Sequence, residues 1–211
     1  MPKFLHVGCG KKNKFQTTAG FASEEWQEIR FDIDKNVNPD IVGSIVDMAQ
    51  VPNRSLDAVY SSHNIEHLYP HQVGIALKEF YRVLSEDGYL VITCPDLQEI
   101  CKLVADDKLT DVAYNSPAGP IAPIDVIYGY RPAIKNGNEF MAHKCGFTRK
   151  ALIGSLKGAG FQVIASIVRE PPSFEIWAVA SKKARTEFDI ISLSEIHFPP
   201  QRPKINYREQ N

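Results

Sequence analysis

The stretch "FLHVGCGKK", residues 4–12, governs how the rest of the chain is read. Phe4, Leu5 and Val7 make a short buried strand, and Gly8 and Gly10 permit a tight turn directly after it. A dinucleotide-binding loop would place a third glycine at position 13, where Asn13 stands, so a nicotinamide oxidoreductase lacks its fingerprint here. The turn instead runs into Lys11 and Lys12, and "KKNK" (11–14) reads as a solvated loop at the mouth of whatever the glycines cradle.

Beyond this turn, apolar strand-like runs alternate with helical ones, the pattern of a mostly parallel α/β sheet. Strands are expected at 4–7, 29–33, 40–46, 56–61, 89–94, 161–168 and 175–181. A short helix is expected around "FASEEWQEI". "VGIALKEFYRVL" (73–84) puts Val73, Leu77, Phe80 and Leu84 on one helical face, and "TRKALIGSLKGAGF" (148–161) is a helix capped by Thr148 and closed by Gly158 and Gly160. Residues 97–147 break the rhythm. They begin as a helix (Leu97 to Leu109) and then become dense in Pro, Gly and aromatics, which predicts an irregular lid over a binding site. Residues 184–211, with Pro199, Pro200 and Pro203, predict a tail or an arm that packs on a partner. A homodimer through lid or tail is the matching expectation.

Length and composition fit this plan. The 211 residues suffice for one domain with a sizeable core. The net charge of −1 offers no electrostatic reason to bind nucleic acid or an acidic membrane. The sequence has neither an apolar run of membrane-spanning length nor a signal-peptide pattern. Cys9, Cys94, Cys101 and Cys145 show no paired spacing, so free thiols in a cytoplasmic protein are expected.

In an open α/β sheet, ligands bind beyond the carboxyl ends of the strands. Strand one brings Gly8, Cys9 and Gly10 there. Strand two brings "RFDID", with Asp32 twenty-two residues after Gly10, a carboxylate able to accept from two ribose hydroxyls, and Ile33 beside it. Strand three brings Asp47, an acceptor for an exocyclic amine, and Met48, a surface for a ring. Strand four brings "YSSHNIEHL", with Ser61, Ser62 and His63 at the edge. The set suits an adenosine.

In this order "HVGCGKK", "RFDID", "DIVGSIVDM", "LDAVYSSHNIEHL", "EFYRVLSEDGYLVITCPD" and "HKCGFTRKALIGSLKGAGFQVI" resemble the motifs of class I S-adenosylmethionine-dependent methyltransferases, most closely the small-molecule, ubiquinone-biosynthesis-like group. The resemblance spans about 1–96 and 143–181. It implies a Rossmann-like seven-stranded sheet with its last strand antiparallel and helices on both faces. It also implies methyl transfer from S-adenosylmethionine to a small-molecule acceptor. By the resemblance Gly8 to Gly10 approach the methionine moiety, Asp32 holds ribose, and Asp47 and Met48 hold adenine. His6 stands where the family usually has an acid, and Lys12 where it has glycine. These departures leave a non-catalytic cofactor-binding module as the alternative.

"HNIEH" (63–67) also matches the H-x-x-E-H zinc peptidase pattern, but Pro70 follows too soon for a long metal-bearing helix. Methyltransferases resembling this chain can carry E-x-x-E-H here and bind a divalent metal, which Glu66, His67, His63 and His143 could imitate. No bound metal is expected. His63 and His143 are the expected proton acceptors, and Tyr128, Tyr130, Arg131 and Phe140 the expected acceptor contacts.

Overall fold

The computed structural model describes residues 1–169, 171–201 and 203–208. In chain order the elements are β1 (Lys3–Val7), β2 (Gln27–Asp32), β3 (Ile41–Val42), β4 (Leu56–Ser62), α1 (Pro70–Val83) and β5 (Leu84–Pro95). An insertion follows with α2 (Leu97–Ala105), β6 (Tyr114–Ser116), β7 (Gly119–Ile121), α3 (Pro123–Tyr128) and α4 (Arg131–Lys135). The chain then continues as α5 (Arg149–Ala159), β8 (Val163–Arg169), β9 (Glu175–Ser181), α6 (Glu187–Glu195) and β10 (Lys204–Tyr207).

The main sheet has the order β10-β8-β9-β5-β4-β1-β2-β3. Strands β1 to β5 pair in parallel, while β9 runs antiparallel between β5 and β8. The seven expected strands are all present, with β9 as the antiparallel one, and β10 adds an eighth antiparallel to β8. Strand order reverses between β1 and β4, which opens a crevice at their carboxyl ends.

Alternation along β1 divides the core. Leu5 and Val7 face a layer in which α1 contributes Val73, Leu77 and Phe80, and α5 contributes Leu152 and Leu156. Both helices form where the apolar period predicts them. Thr148 Oγ1 accepts from the Ala151 N–H, and Gly160 closes α5 at φ 120°. Phe4, on the opposite face, meets Phe21, Tyr89, Val163 and Ala165.

That opposite face corrects the sequence reading twice. No α-helix forms between β1 and β2; residues 8–26 make turns and one 3-10 turn at Lys14–Gln16. The segment is too short for an ordinary helical crossover. The Lys14 ammonium bonds the carbonyls of Ser23 and Trp26, holding the loop so that Phe21 stacks on Phe4 with centroids 4.3 Å apart. The face left uncovered is closed by the C-terminal segment, which packs on its own sheet rather than projecting as an arm. Ile190 of α6 and Phe198 are buried there.

His197 locks this closure. Its Nδ1 lies 2.6 Å from Thr18 Oγ1 and its Nε2 3.1 Å from Tyr89 Oη, and Phe21 packs on its ring. Burial pushes the imidazole down to about 4. The folded state therefore resists a proton that the unfolded chain accepts near 6.5, so stability is whole above 6.5 and falls as pH drops toward 4. At pH 5 the loss from this group should be about 2 kcal/mol. Urea unfolding at pH 7 and pH 5 checks it: the acid slope should flatten in His197→Gln, and an unchanged slope would dismiss the lock.

The insertion is ordered, not irregular. The β6–β7 hairpin and helices α2 and α3 surround a small core of Ile100, Ile121, Val126 and Phe174. Two of its four prolines start helices instead of interrupting them: Pro123 and Pro132 fall in the first turns of α3 and α4, where no N–H is missed. No helix among the described residues is long and apolar enough to cross a membrane.

Candidate active site

At the carboxyl ends of β1 to β4 lies a cleft of about 350 Å³. The β1 turn forms its floor. Gly8 and Gly10 sit at φ 62° and 53°, and a Cβ on Gly8 would come within 2.6 Å of the Asn64 side chain, so only glycine lets these segments approach. The Asp32 carboxylate accepts from the N–H of Gly10 at 2.8 Å and of Asp34 at 2.9 Å, tying the ends of β1 and β2 together. Arg30 braces the same turn through the carbonyls of Gly10 and Lys12.

The cleft gathers Gly8, Gly10, Asp32, Ile33, His63 and, from the insertion, Phe140. Other expected residues lie elsewhere. The Cys9 thiol is buried behind the turn, and burial pushes it up to about 11. Met48 is fully buried in the core, its backbone bonded to Glu79 and Arg82, so it offers no face to a ring. Asp47 points outward and caps its own turn through the Ala49 N–H. The cause is the length of β3, which stops at Val42; Gly43, Ser44 and Ile45 then take the cleft wall. Ser61 is fully buried, and Ser62 accepts from Thr93. Tyr130 Oη donates to the Ala118 carbonyl, and Arg131 pairs with Asp125 at 2.6 Å; both hold the insertion together and line neither cavity.

His6 is buried, with Nδ1 2.7 Å from Glu28 Oε1. A carboxylate therefore still stands beside the position where the family has an acid, supplied by the neighbouring strand. Its other oxygen accepts from the Lys14 N–H. Lys12 is exposed.

"HNIEH" is a strand end and one 3-10 turn, Ile65–His67, so His63 and His67 share no helical face and the peptidase arrangement is absent. His63 has φ 48°, its Nε2 lies 3.0 Å from Glu175 Oε1, and its Nδ1 3.5 Å from Glu66 Oε1. Burial opposes its charge, but the two carboxylates outweigh burial and raise it to about 10. At neutral pH it holds its proton and is no proton acceptor. Glu175, held down to about 2 against the cost of its burial chiefly by His63, is a partner that no local motif announces.

His143 returns from the insertion beside Glu66. The N–H groups of Lys144 and Cys145 both donate to the Glu66 carbonyl, at 2.9 and 3.2 Å. His143 Nδ1 lies 2.7 Å from the Val126 carbonyl, and burial lowers its proton affinity, so the ring is neutral. With Glu66, Leu97, Val126 and Tyr128 it lines a second cavity of about 250 Å³, next to the first.

Residues 5–92 match a family model described as a methyltransferase domain. Solved structures share the fold across most of the chain. A Methanosarcina mazei S-adenosylmethionine-dependent methyltransferase superposes with a TM-score of 0.57 at 17% identity, covering 87% of this chain and 93% of its own. A Pyrococcus horikoshii protein gives 0.58 at 15%, covering 86% and 82%. The Burkholderia thailandensis 1,6-didemethyltoxoflavin-N1-methyltransferase, solved with that compound and S-adenosylhomocysteine, gives 0.54 at 14%, covering 87% and 72%. No curated protein matches the sequence. Residues 5–92 therefore match a methyltransferase domain, and the chain shares the fold of solved S-adenosylmethionine-dependent methyltransferases.

Proposed function

We propose that the chain transfers the methyl group of S-adenosylmethionine to a small-molecule acceptor, with the cofactor in the first cleft and the acceptor in the second cavity. The observation that carries this reading is the Asp32 carboxylate, fixed by two backbone N–H groups at the crevice where strand order reverses. A carboxylate has acceptor sites left over for ribose hydroxyls. Gly8 and Gly10 give backbone access to the methionine moiety, and Gly43, Ser44 and Ile45 stand where an adenine would lie. The Burkholderia enzyme holds 1,6-didemethyltoxoflavin and S-adenosylhomocysteine on the same fold, which supports a small-molecule acceptor.

The sulfonium already activates the methyl group, so the protein's part is to align an incoming nucleophile and keep water away. Phe140 and Met141 roof the cofactor cleft from the insertion. Of the two histidines expected as proton acceptors, His143 is the one with a lone pair to offer. All four cysteines are free, which supports a reducing, cytoplasmic setting.

Calorimetric titration with S-adenosylhomocysteine tests the reading, with NAD as the control that should not bind. Asp32→Asn keeps the shape and removes the charge. It should weaken binding by about 10- to 100-fold, the roughly 1.5–3 kcal/mol of hydrogen bonds to a charged group. Equal affinity in wild type and variant would remove Asp32 from the site. Turnover against a panel of small hydroxyl and amine compounds separates an enzyme from a binding module.

A further inference from the structure

The wall between the two cavities holds a carboxylate that the methyl-transfer reading leaves unused. Glu66 is 1% exposed, and neither of its carboxylate oxygens has a hydrogen-bond partner. It shares the His63 imidazole with Glu175, and the sharing is uneven. Glu175 takes the closer contact at 3.0 Å and adds Arg169 and the Trp177 indole N–H, each also at 3.0 Å. Glu66 has only the other ring nitrogen at 3.5 Å, an ion-pair contact and not a hydrogen bond. Burial pushes its carboxyl up, but His63, then His67 and His143, outweigh burial and hold it below its ordinary value. A buried carboxylate left this bare is destabilising unless a cation with hydrogens to donate comes to it.

Two histidines beside it are placed to accept as well. His67 Nδ1 is 3.1 Å from the Ala142 carbonyl, and His143 Nδ1 is 2.7 Å from the Val126 carbonyl. A carbonyl only accepts, so each Nδ1 carries a proton and each Nε2 is the free nitrogen of its ring. One ring nitrogen from each histidine and one Glu66 oxygen lie within 4.8 Å of one another. Three acceptors bonded to one tetrahedral nitrogen at about 2.9 Å stand about 4.7 Å apart. The cluster therefore has the spacing of an ammonium group, which carries three donors and no acceptor. A zinc-class ion would need the same atoms roughly 3.3 Å apart. The second cavity leads away from this cluster, and Leu97, Val126, Ile127 and Tyr128 make its wall mainly apolar.

We propose that the methyl acceptor is a compact primary amine, its ammonium group held by Glu66, His67 and His143 and its apolar body lodged in the second cavity. That this ligand is the acceptor rests on the methyl-transfer reading; its chemistry rests on the cavity alone. Glu66 is then the residue that sets specificity. A site built to take N–H donors rejects a ligand of the same shape that lacks them, because the buried carboxylate would stay unpaired. An anionic ligand would meet a like charge at the same place.

The test is calorimetric titration of the full chain, in chelator and with excess S-adenosylhomocysteine, against two matched series. One is phenethylamine, 2-phenylethanol and phenylacetate; the other is butylamine, 1-butanol and butyrate. In at least one series the amine should bind about 10-fold or more tighter than the alcohol, and neither carboxylate should bind. Glu66→Gln keeps the shape and removes the charge, and should bring that amine and alcohol within about 3-fold while circular dichroism stays that of the wild type. Amines binding no tighter than their alcohols in the wild type would overturn the proposal, as would a preference that survives in Glu66→Gln. Should the variant fail to fold, Cys145 decides, since it lines the same cavity. The amine, and not the alcohol, should slow its alkylation by a maleimide and leave the exposed Cys101 unaffected; equal rates with both would overturn the proposal. Amine preference without S-adenosylhomocysteine binding would retain the amine site and refute the methyl-transfer reading, and the converse would do the reverse.

Discussion

A chain cut after Ala184 should fail to reach the native state. The lost segment supplies Ile190, fully buried, and Phe198, 8% exposed, with Leu193 packed beside them. They cover Phe21, Tyr89, Val163 and Ala165, a sheet face that no crossover helix shields. Burying a large apolar side chain contributes about 1.5–3 kcal/mol, so three of them contribute roughly 6 kcal/mol. The His197 bonds and the pairing of β10 with β8 add to that. Whole domains are stable by only about 5–15 kcal/mol. Cutting here also bares β8 as an edge strand, an open template for aggregation. The truncated chain should show weak, non-cooperative thermal unfolding, strong binding of a hydrophobic dye and poor solubility. A soluble truncation melting cooperatively at the wild-type temperature would show that the segment is dispensable.

This dependence explains where sequence reading succeeded and where it went astray. Helices α1 and α5 were legible because their apolar period, caps and terminal glycine all agree. That Gly8, Gly10 and Asp32 meet at one cleft was legible because a turn and a carboxylate at successive strand ends are local features. The C-terminal segment was not, since its polar, proline-rich end looks like a tail until the face above Phe4 is seen to be open. Expecting a helix around "FASEEWQEI" (21–29) and expecting a tail or an arm that packs on a partner are one error, because without that helix the sheet face is left for α6 and Phe198 to cover. Asp47 and Met48 were misplaced because "DIVGSIVDM" is apolar enough for a long strand, yet Gly43 packs against Phe31, where a Cβ would meet the ring at 2.7 Å, and the chain turns there. Aromatic and arginine side chains in the insertion read as ligand contacts, but short helices need bracing, and Tyr130 and Arg131 provide it. The His63–Glu175 pair spans 112 residues, beyond any local pattern.

Gly129→Ala should release the return strand of the insertion while leaving the sheet intact. Gly129 sits at φ 98°, a region that costs a side-chain-bearing residue about 1–3 kcal/mol. Space is the harsher limit. A Cβ there would lie 2.0 Å from the Met141 carbonyl oxygen, 2.9 Å from the Ala142 Cα and 3.0 Å from the His143 N. These are backbone atoms and cannot rotate away. They belong to the Gly129–Ala142 bridge, and the adjacent His143 N–H donates to the Tyr128 carbonyl at 3.1 Å. One methyl group must therefore part residues 128–129 from 141–143, at a total cost of about 3–5 kcal/mol confined to the insertion. His143 would then leave Glu66 and His67, and Phe140 and Met141 would leave the cofactor cleft. Gly8, Gly10 and Asp32 stand on the sheet and would stay. Hydrogen exchange should accelerate across 123–145 and hardly change in β1, β4 and β5. Affinity for S-adenosylhomocysteine should fall only a few-fold. Native exchange rates in 123–145 would mean that the backbone accommodates the methyl group and that the tight crossing does not position His143.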